Sequence, residues 1–337
     1  MSRVSVGLLC AVLGWATGAT IARADEKPAA VEGFHWIDKP DEGTADLLFG
    51  KQPVLRYMYA FDTSTKERQF DTFKVYHHVF GPGSDALITK GPGGLFPHHR
   101  GLFLGWNKTG FEGKELDFWH CTKGAHLRHA KFVELSGNDK VGQFEAEIHW
   151  NDAEGKPVII ENRHLTVHRL ELAGNSTPAW EIDVNTKLAS QRGTITLSGD
   201  RQHAGLQFRA PQSVADEKSA RFIRPAEFPD KPEAIEVGDK ENPPLHSNLN
   251  WFAETFPVEG KQYTVEYFED PSLPKPSLYS ERPYGRFGAF FKTTLEQDHP
   301  LTMRYRLIVS TGEPPKREEI QKRYDEFVAG LKQSDAK

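Results

Sequence analysis

The chain has 337 residues, with 42 Lys and Arg against 47 Asp and Glu and a formal charge of −5. This mildly acidic balance contains no basic block, so nucleic acid and anionic membrane surfaces are poor partners. Its two cysteines, Cys10 and Cys121, exclude a disulfide-dense scaffold and leave the fold to rest on a large core.

In chain order, residues 1–24 read as a cleavable export signal. Arg3 supplies the positive charge, residues 4–16 are mainly apolar, and Ala22-Arg23-Ala24 has the small-x-small form of a cleavage site. Gly7, Gly14 and Gly18 interrupt a core that is already short for a bilayer span. The mature protein is expected to begin near Asp25 and to work in the periplasm or outside the cell. Loss of Arg3 and Arg23 takes its formal charge to about −7. No later segment approaches the roughly 20 apolar residues of a transmembrane helix. With Cys10 removed, Cys121 is alone and no intramolecular disulfide is possible.

Period-two alternation then dominates. Residues 143–150 alternate strictly, and 158–170, 180–188 and 194–197 follow at meander spacing. Further runs fall at 263–268, 287–291 and 301–309. Such runs, separated by Gly, Pro, Asn and Asp clusters, predict a large antiparallel β-sandwich, each sheet with one buried and one wet face. Residues 211–244 read as a long, weakly patterned loop. A C-terminal helix is predicted over 315–332, with Ile320, Tyr324, Phe327, Val328 and Leu331 on one face, capping the sandwich. Residues 25–337 are expected to form a single domain.

Four loop-like segments concentrate polar and aromatic side chains. In the first, a Gly/Pro-rich approach delivers His98, His99 and Arg100, suited to proton transfer and to holding an anion or hydroxyl. On a strand the two histidines would point to opposite faces, leaving one for any site. In the second, Asp117 and His120 flank Trp119, and Trp106 lies just upstream; aromatic faces beside hydrogen-bonding groups suit sugar rings. Asp117, His120, His126 and His129, with Cys121 between, match no established zinc or haem spacing. No metal ligands and no cofactor are therefore assigned. The third segment carries His203 and Arg209, and the fourth Glu281, Arg282, Tyr284 and Arg286. Glu281 is either a general base or the ion-pair partner of a neighbouring arginine. The chain has no Gly-rich phosphate loop, nucleophile elbow or Cys-x-x-Cys motif.

The segments HHRGLFLGW (98–106), DFWH (117–120), HAGLQFR (203–209) and YSERPYGRFGAFF (279–291) together resemble the secreted bacterial family labelled methane oxygenase PmoA. That family's overall pattern is similar to the galactose-mutarotase-like super-sandwich, whose members bind or process carbohydrates in a cleft. The resemblance implies a histidine acid and a carboxylate base about a sugar. His98 or His99, His203 and Glu281 are then catalytic, with Arg100, Trp106, Asp117, Trp119, His120, Arg209, Arg282, Tyr284 and Arg286 on the binding side. The leading expectation is an exported carbohydrate-active enzyme of epimerase, lyase or hydrolase type. A non-catalytic carbohydrate-binding module and a metal-dependent oxidase are the alternatives.

Overall fold

The computed structural model describes Met1 and residues 32–228 and 247–335. The predicted export signal lies outside the described residues. Within them the chain forms β1 (Phe34–Lys39), β2 (Thr44–Phe49), β3 (Gln52–Met58), helix α1 (Lys66–Thr72), β4 (Tyr76–Val79), β5 (Phe103–Trp106), β6 (Lys108–Phe111) and β7 (Lys114–Leu116). Long strands follow: β8 (His126–Gly137), β9 (Val141–Asn151), β10 (Pro157–Leu170) and β11 (Ala179–Ser190). Next come β12 (Ile195–Ser198), β13 (Ala204–Arg209), helix α2 (Gln212–Glu217) and β14 (Arg221–Ile223). The chain ends with β15 (Trp251–Val258), β16 (Lys261–Glu269), β17 (Leu278–Arg282), β18 (Arg286–Phe290), β19 (Thr293–Leu295), β20 (Leu301–Thr311) and helix α3 (Arg317–Asp335).

An eight-stranded antiparallel sheet, ordered β14-β15-β16-β20-β11-β10-β9-β8, is the backbone of the molecule. Its alternation is the one the sequence carries: in β9, Phe144, Ala146, Ile148 and Trp150 are buried while Gln143, Glu145, Glu147 and His149 are half-buried on the other face. Three four-stranded sheets cover the inner face: β1-β2-β3-β4, β19-β12-β6-β7 and β17-β18-β13-β5. The first packs through Tyr57 and His77 on Phe144, with ring centroids 4.8 and 5.0 Å apart. The third packs through Phe287 on Phe252, at 5.2 Å. The protein is thus a large antiparallel β-sandwich with a C-terminal capping helix. Among the described residues no helix is long and apolar enough to cross a membrane.

Helix α3 covers part of the outer face. Ile320, Tyr324 and Phe327 join Trp251, Ala253, Phe268 and Ile308 in a second, smaller core, and Arg323 donates to both oxygens of the buried Glu266 at 2.9 and 2.7 Å. It begins at Arg317, two residues later than predicted, after Pro314 and Pro315. Ile320→Ala is expected to cost roughly 2 kcal/mol, the low end for a buried large-to-small change, read from a urea unfolding midpoint. A change under about 0.5 kcal/mol would show that the helix is not docked as described. The predicted loop at 211–244 is corrected in its first part, which holds α2 and edge strand β14. Elements of six and three residues are too short to show a hydrophobic period.

Candidate metal centre

Three turns from distant parts of the chain meet at one end of the small sheet that contains β5 and β13. His98 sits in the long β4–β5 connection, His120 between β7 and β8, and His203 in the turn that opens β13. Strands β5 and β13 pair with Ala204 opposite Trp106 and Gln207 opposite Phe103. The turn bearing His120 is laid onto β5 by the Phe118 N–H, which donates to Trp106 O at 3.0 Å. Gly105 permits that approach, since a Cβ there would stand 2.6 Å from Phe118 O. Lys74 Nζ donates to Trp119 O from below. Gly105→Ala is expected to displace residues 118–120 and cost about 1–3 kcal/mol, with a matching loss at the histidine site. A wild-type melting curve from that variant would refute the close approach.

The ring nitrogens of His98, His120 and His203 lie within 4.8 Å of one another. Two of the rings are oriented by carboxylates. His120 Nδ1 is 2.9 Å from Asp117 Oδ2, and His203 Nδ1 is 2.9 Å from Asp200 Oδ1. A carboxylate accepts, so each Nδ1 carries a proton toward its aspartate, which leaves Nε2 as the nitrogen available to a ligand. Asp117 also accepts the backbone N–H groups of Trp119 and His120 at 2.9 and 2.7 Å, locking the turn. Asp200 is itself steadied by the Asn107 amide at 2.8 Å. Burial raises the proton affinity of both carboxyls, but the histidine and N–H hydrogen bonds outweigh it and hold both below the usual range. His98 Nε2 is buried and has no hydrogen-bond partner among the described residues. Burial first, then nearby Lys74, pushes the His98 imidazole down to about 3, so it stays neutral.

Three converging imidazoles, two of them backed by carboxylates, are a donor set and outer shell that could hold a first-row transition metal ion. The sequence reading assigned no metal ligands, and it did not group these three histidines. Spacing within a single segment could not reveal ligands drawn one each from three segments. Asp200 is the residue the sequence reading missed; its position three before His203, matching Asp117 three before His120, was the available signal.

A cavity of about 550 Å³ opens onto His98 and His120, walled by α1 on one side and by Cys121, Thr122 and His126 on the other. Burial pushes the Cys121 thiol up to about 12 and the Lys74 ammonium down to about 7. The thiol is therefore not an activated nucleophile.

The remaining predicted residues fall around this centre rather than in it. His98 and His99 lie on a turn, not a strand; His98 lines the cavity while His99 is buried against Phe96, ring centroids 5.0 Å apart. Arg100 is buried and spends its donors on the carbonyls of Pro97, His99 and Phe70, tying the His98 turn to α1. Trp106 and Trp119 are 0% and 2% exposed. Both are core residues rather than sugar platforms, because each fills the space where small sheets pack on their neighbours. His203 packs 6.1 Å from the Trp119 ring. Arg209 is buried, donating to the carbonyls of Phe208 and Gln202 with its guanidinium 5.3 Å from the Trp119 ring. Glu281 is buried in an ion pair with Arg224, a distant partner rather than the expected Arg282 or Arg286, and is not a wall of the histidine cavity. Arg282 donates to Glu281 O, Arg286 to Ser280 Oγ at 2.5 Å, and Tyr284 leans on Phe96 at 4.7 Å. Of the other histidines in the second segment, His126 stacks on Phe61 and His129 packs on Phe132.

The fold and site thus define a β-sandwich protein with a three-histidine centre at the mouth of a cavity. The model of DUF6807, a family of unknown function, matches residues 44–325, and the chain belongs to that family. This assignment overturns the resemblance to the family labelled methane oxygenase PmoA. The four segments quoted for that resemblance lie inside the matched region. No curated protein matches the chain. Among solved structures, the chain is similar to heparan sulfate lyase HepC from Pedobacter heparinus, with 8% identity and a TM-score of 0.37, over 85% of this chain and 36% of the other. It is also similar to a protein described as a kojibiose phosphorylase from the human microbiome, with 10% identity and a TM-score of 0.30, over 89% of this chain and 33% of the other. The chain spans about a third of the length of either structure, and nothing about its activity follows from them.

Proposed function

We propose that this is an exported, metal-dependent enzyme acting on a carbohydrate, with a divalent transition ion held by His98, His120 and His203. The observation that carries the reading is the pair of Asp–His contacts. Asp117 and Asp200 each hold one ring through Nδ1, beside a His98 whose buried Nε2 has no partner among the described residues, and one ring nitrogen from each of the three lies within 4.8 Å of the others. Three protein ligands leave coordination positions for water and substrate, and the ion would supply Lewis-acid activation of either. The protein's part is to hold three imidazoles in one place and to bind the substrate beside them. A sugar suits a cavity in which Phe70 and Phe73 offer ring faces and Gln69 and Thr122 offer hydrogen bonds. Export is supported by the charge, apolar stretch and cleavage site of residues 1–24.

The test is metal analysis of protein purified without a histidine tag and reconstituted separately with zinc, copper, nickel and manganese. About one ion per chain is expected for at least one metal, falling to a small fraction in His98→Ala, His120→Ala and His203→Ala. No retained ion with any of the four metals would sink the reading. Incubation of the loaded protein with oligosaccharides and oxidised sugars, with product analysis, then tests turnover; binding without products under every condition would leave a sugar-binding protein instead.

A further inference from the structure

We infer that the cavity selects an acidic saccharide, a hexuronate, and that one face of α1 is the selecting wall. This deepens the proposed function and rests on it only for the end of the cavity where chemistry would occur. Lys66, Gln69, Phe70 and Phe73 line the cavity, at the i, i+3, i+4, i+7 spacing of a single helical face. In a surface helix such a face ordinarily turns to the core. Here Lys66, Gln69 and Phe70 are exposed. The helix is instead anchored through buried Thr72, which bonds the carbonyls of Arg68 and Asp62 at 2.7 and 3.2 Å, and by the Arg100 bond to Phe70 O at 2.8 Å. An aromatic side chain kept in water at the rim of a cavity that also presents Lys66, Gln69 and Thr122 has the form of a platform for a sugar's C–H face.

The charge is one-sided. Among the described residues no Asp or Glu lines the cavity, whereas Lys66 does, although the whole chain carries −5. The buried Arg100 guanidinium adds to it from behind the aromatic wall, 5.5 and 5.4 Å from the ring centroids of Phe70 and Phe73. A cavity lined by one sign of charge favours a ligand of the other. In the arrangement these groups define, the ring face lies on Phe70, hydroxyls meet Gln69 and Thr122, and the carboxylate meets Lys66.

Calorimetry on the full, metal-analysed protein with methyl glucuronide, methyl glucoside and a sulfated methyl glucoside tests this. The glucuronide is expected to bind about 10-fold more tightly than the neutral glucoside, as one charge-assisted hydrogen bond warrants. Lys66→Met should bring that ratio close to one, and Phe70→Ala should weaken all ligands by a similar factor, with metal content unchanged in both. Tighter binding of the sulfated sugar than of the glucuronide would keep the cationic wall and overturn the carboxylate. Equal binding of neutral and acidic sugars, a preference that survives Lys66→Met, or no binding of any of the three would overturn the inference. A sample that prefers the acidic sugar but holds no metal would leave this inference standing and remove the metal centre instead.

Discussion

Glu161→Ala is expected to destabilise the protein by about 3–5 kcal/mol, the range for breaking a buried ion pair from one side. Glu161 is 0% exposed on the inner face of β10. Its carboxylate accepts from Arg163 Nε at 2.7 Å and Nη2 at 3.1 Å, from Trp150 Nε1 at 2.9 Å and from Thr186 Oγ1 at 2.9 Å. Removing it strands a buried guanidinium and two further donors, each without water to replace the lost acceptor. Glu161→Leu with Arg163→Met should recover much of the loss, because the expensive element is the uncompensated charge rather than the missing pair. Urea unfolding of the single and double variants measures both. A single variant within about 1 kcal/mol of wild type would mean the pair is hydrated, and the account of this region would be wrong.

The second large effect concerns the carboxylates behind the histidines. Asp117→Asn and Asp200→Asn are each expected to lower metal affinity about 10–100-fold. An amide can leave the ring free to rotate or to carry its proton on Nε2, where the lone pair is needed. The Asp117 variant should also lose stability, because Asp117 takes two backbone N–H groups that close its turn; the Asp200 variant should lose less. Competition of each variant against a chelator of known affinity reads the effect directly. Unchanged affinity in both would show that these contacts are ordinary structural hydrogen bonds and would remove the main support for the metal centre.

Much of the fold was legible because the signals are local. Alternating side chains in β9, β10, β11 and β20 follow from the two-residue period of a strand with one buried face, and the apolar stripe of α3 follows from helical periodicity. The short α2 and β14 escaped because too few residues carry the pattern. The candidate site was legible in composition only. His98, His120 and His203 stood out as loop histidines in polar company, but nothing in the sequence joined them. Metal spacing rules look for ligands on one turn or one helix. Here each ligand comes from a different turn, and Glu281, chosen for its neighbours in the chain, pairs instead with Arg224. Trp106 and Trp119 misled for the same reason. An aromatic residue in a polar loop segment looks exposed until the sheets that bury it are known.

By itself the sequence determined a mildly acidic balance, a chain with only two cysteines, a β-rich architecture with a helix at its end, and the set of residues able to do chemistry. All of these depend on composition or on neighbours within a few positions. Only the tertiary structure decided which of those residues meet. The pairing of β5 with β13, the close approach at Gly105 and the meeting of His98, His120 and His203 depend on strand register and on turns up to about 100 residues apart. Contacts of that range are set by the packing of the whole core, and no local pattern encodes them.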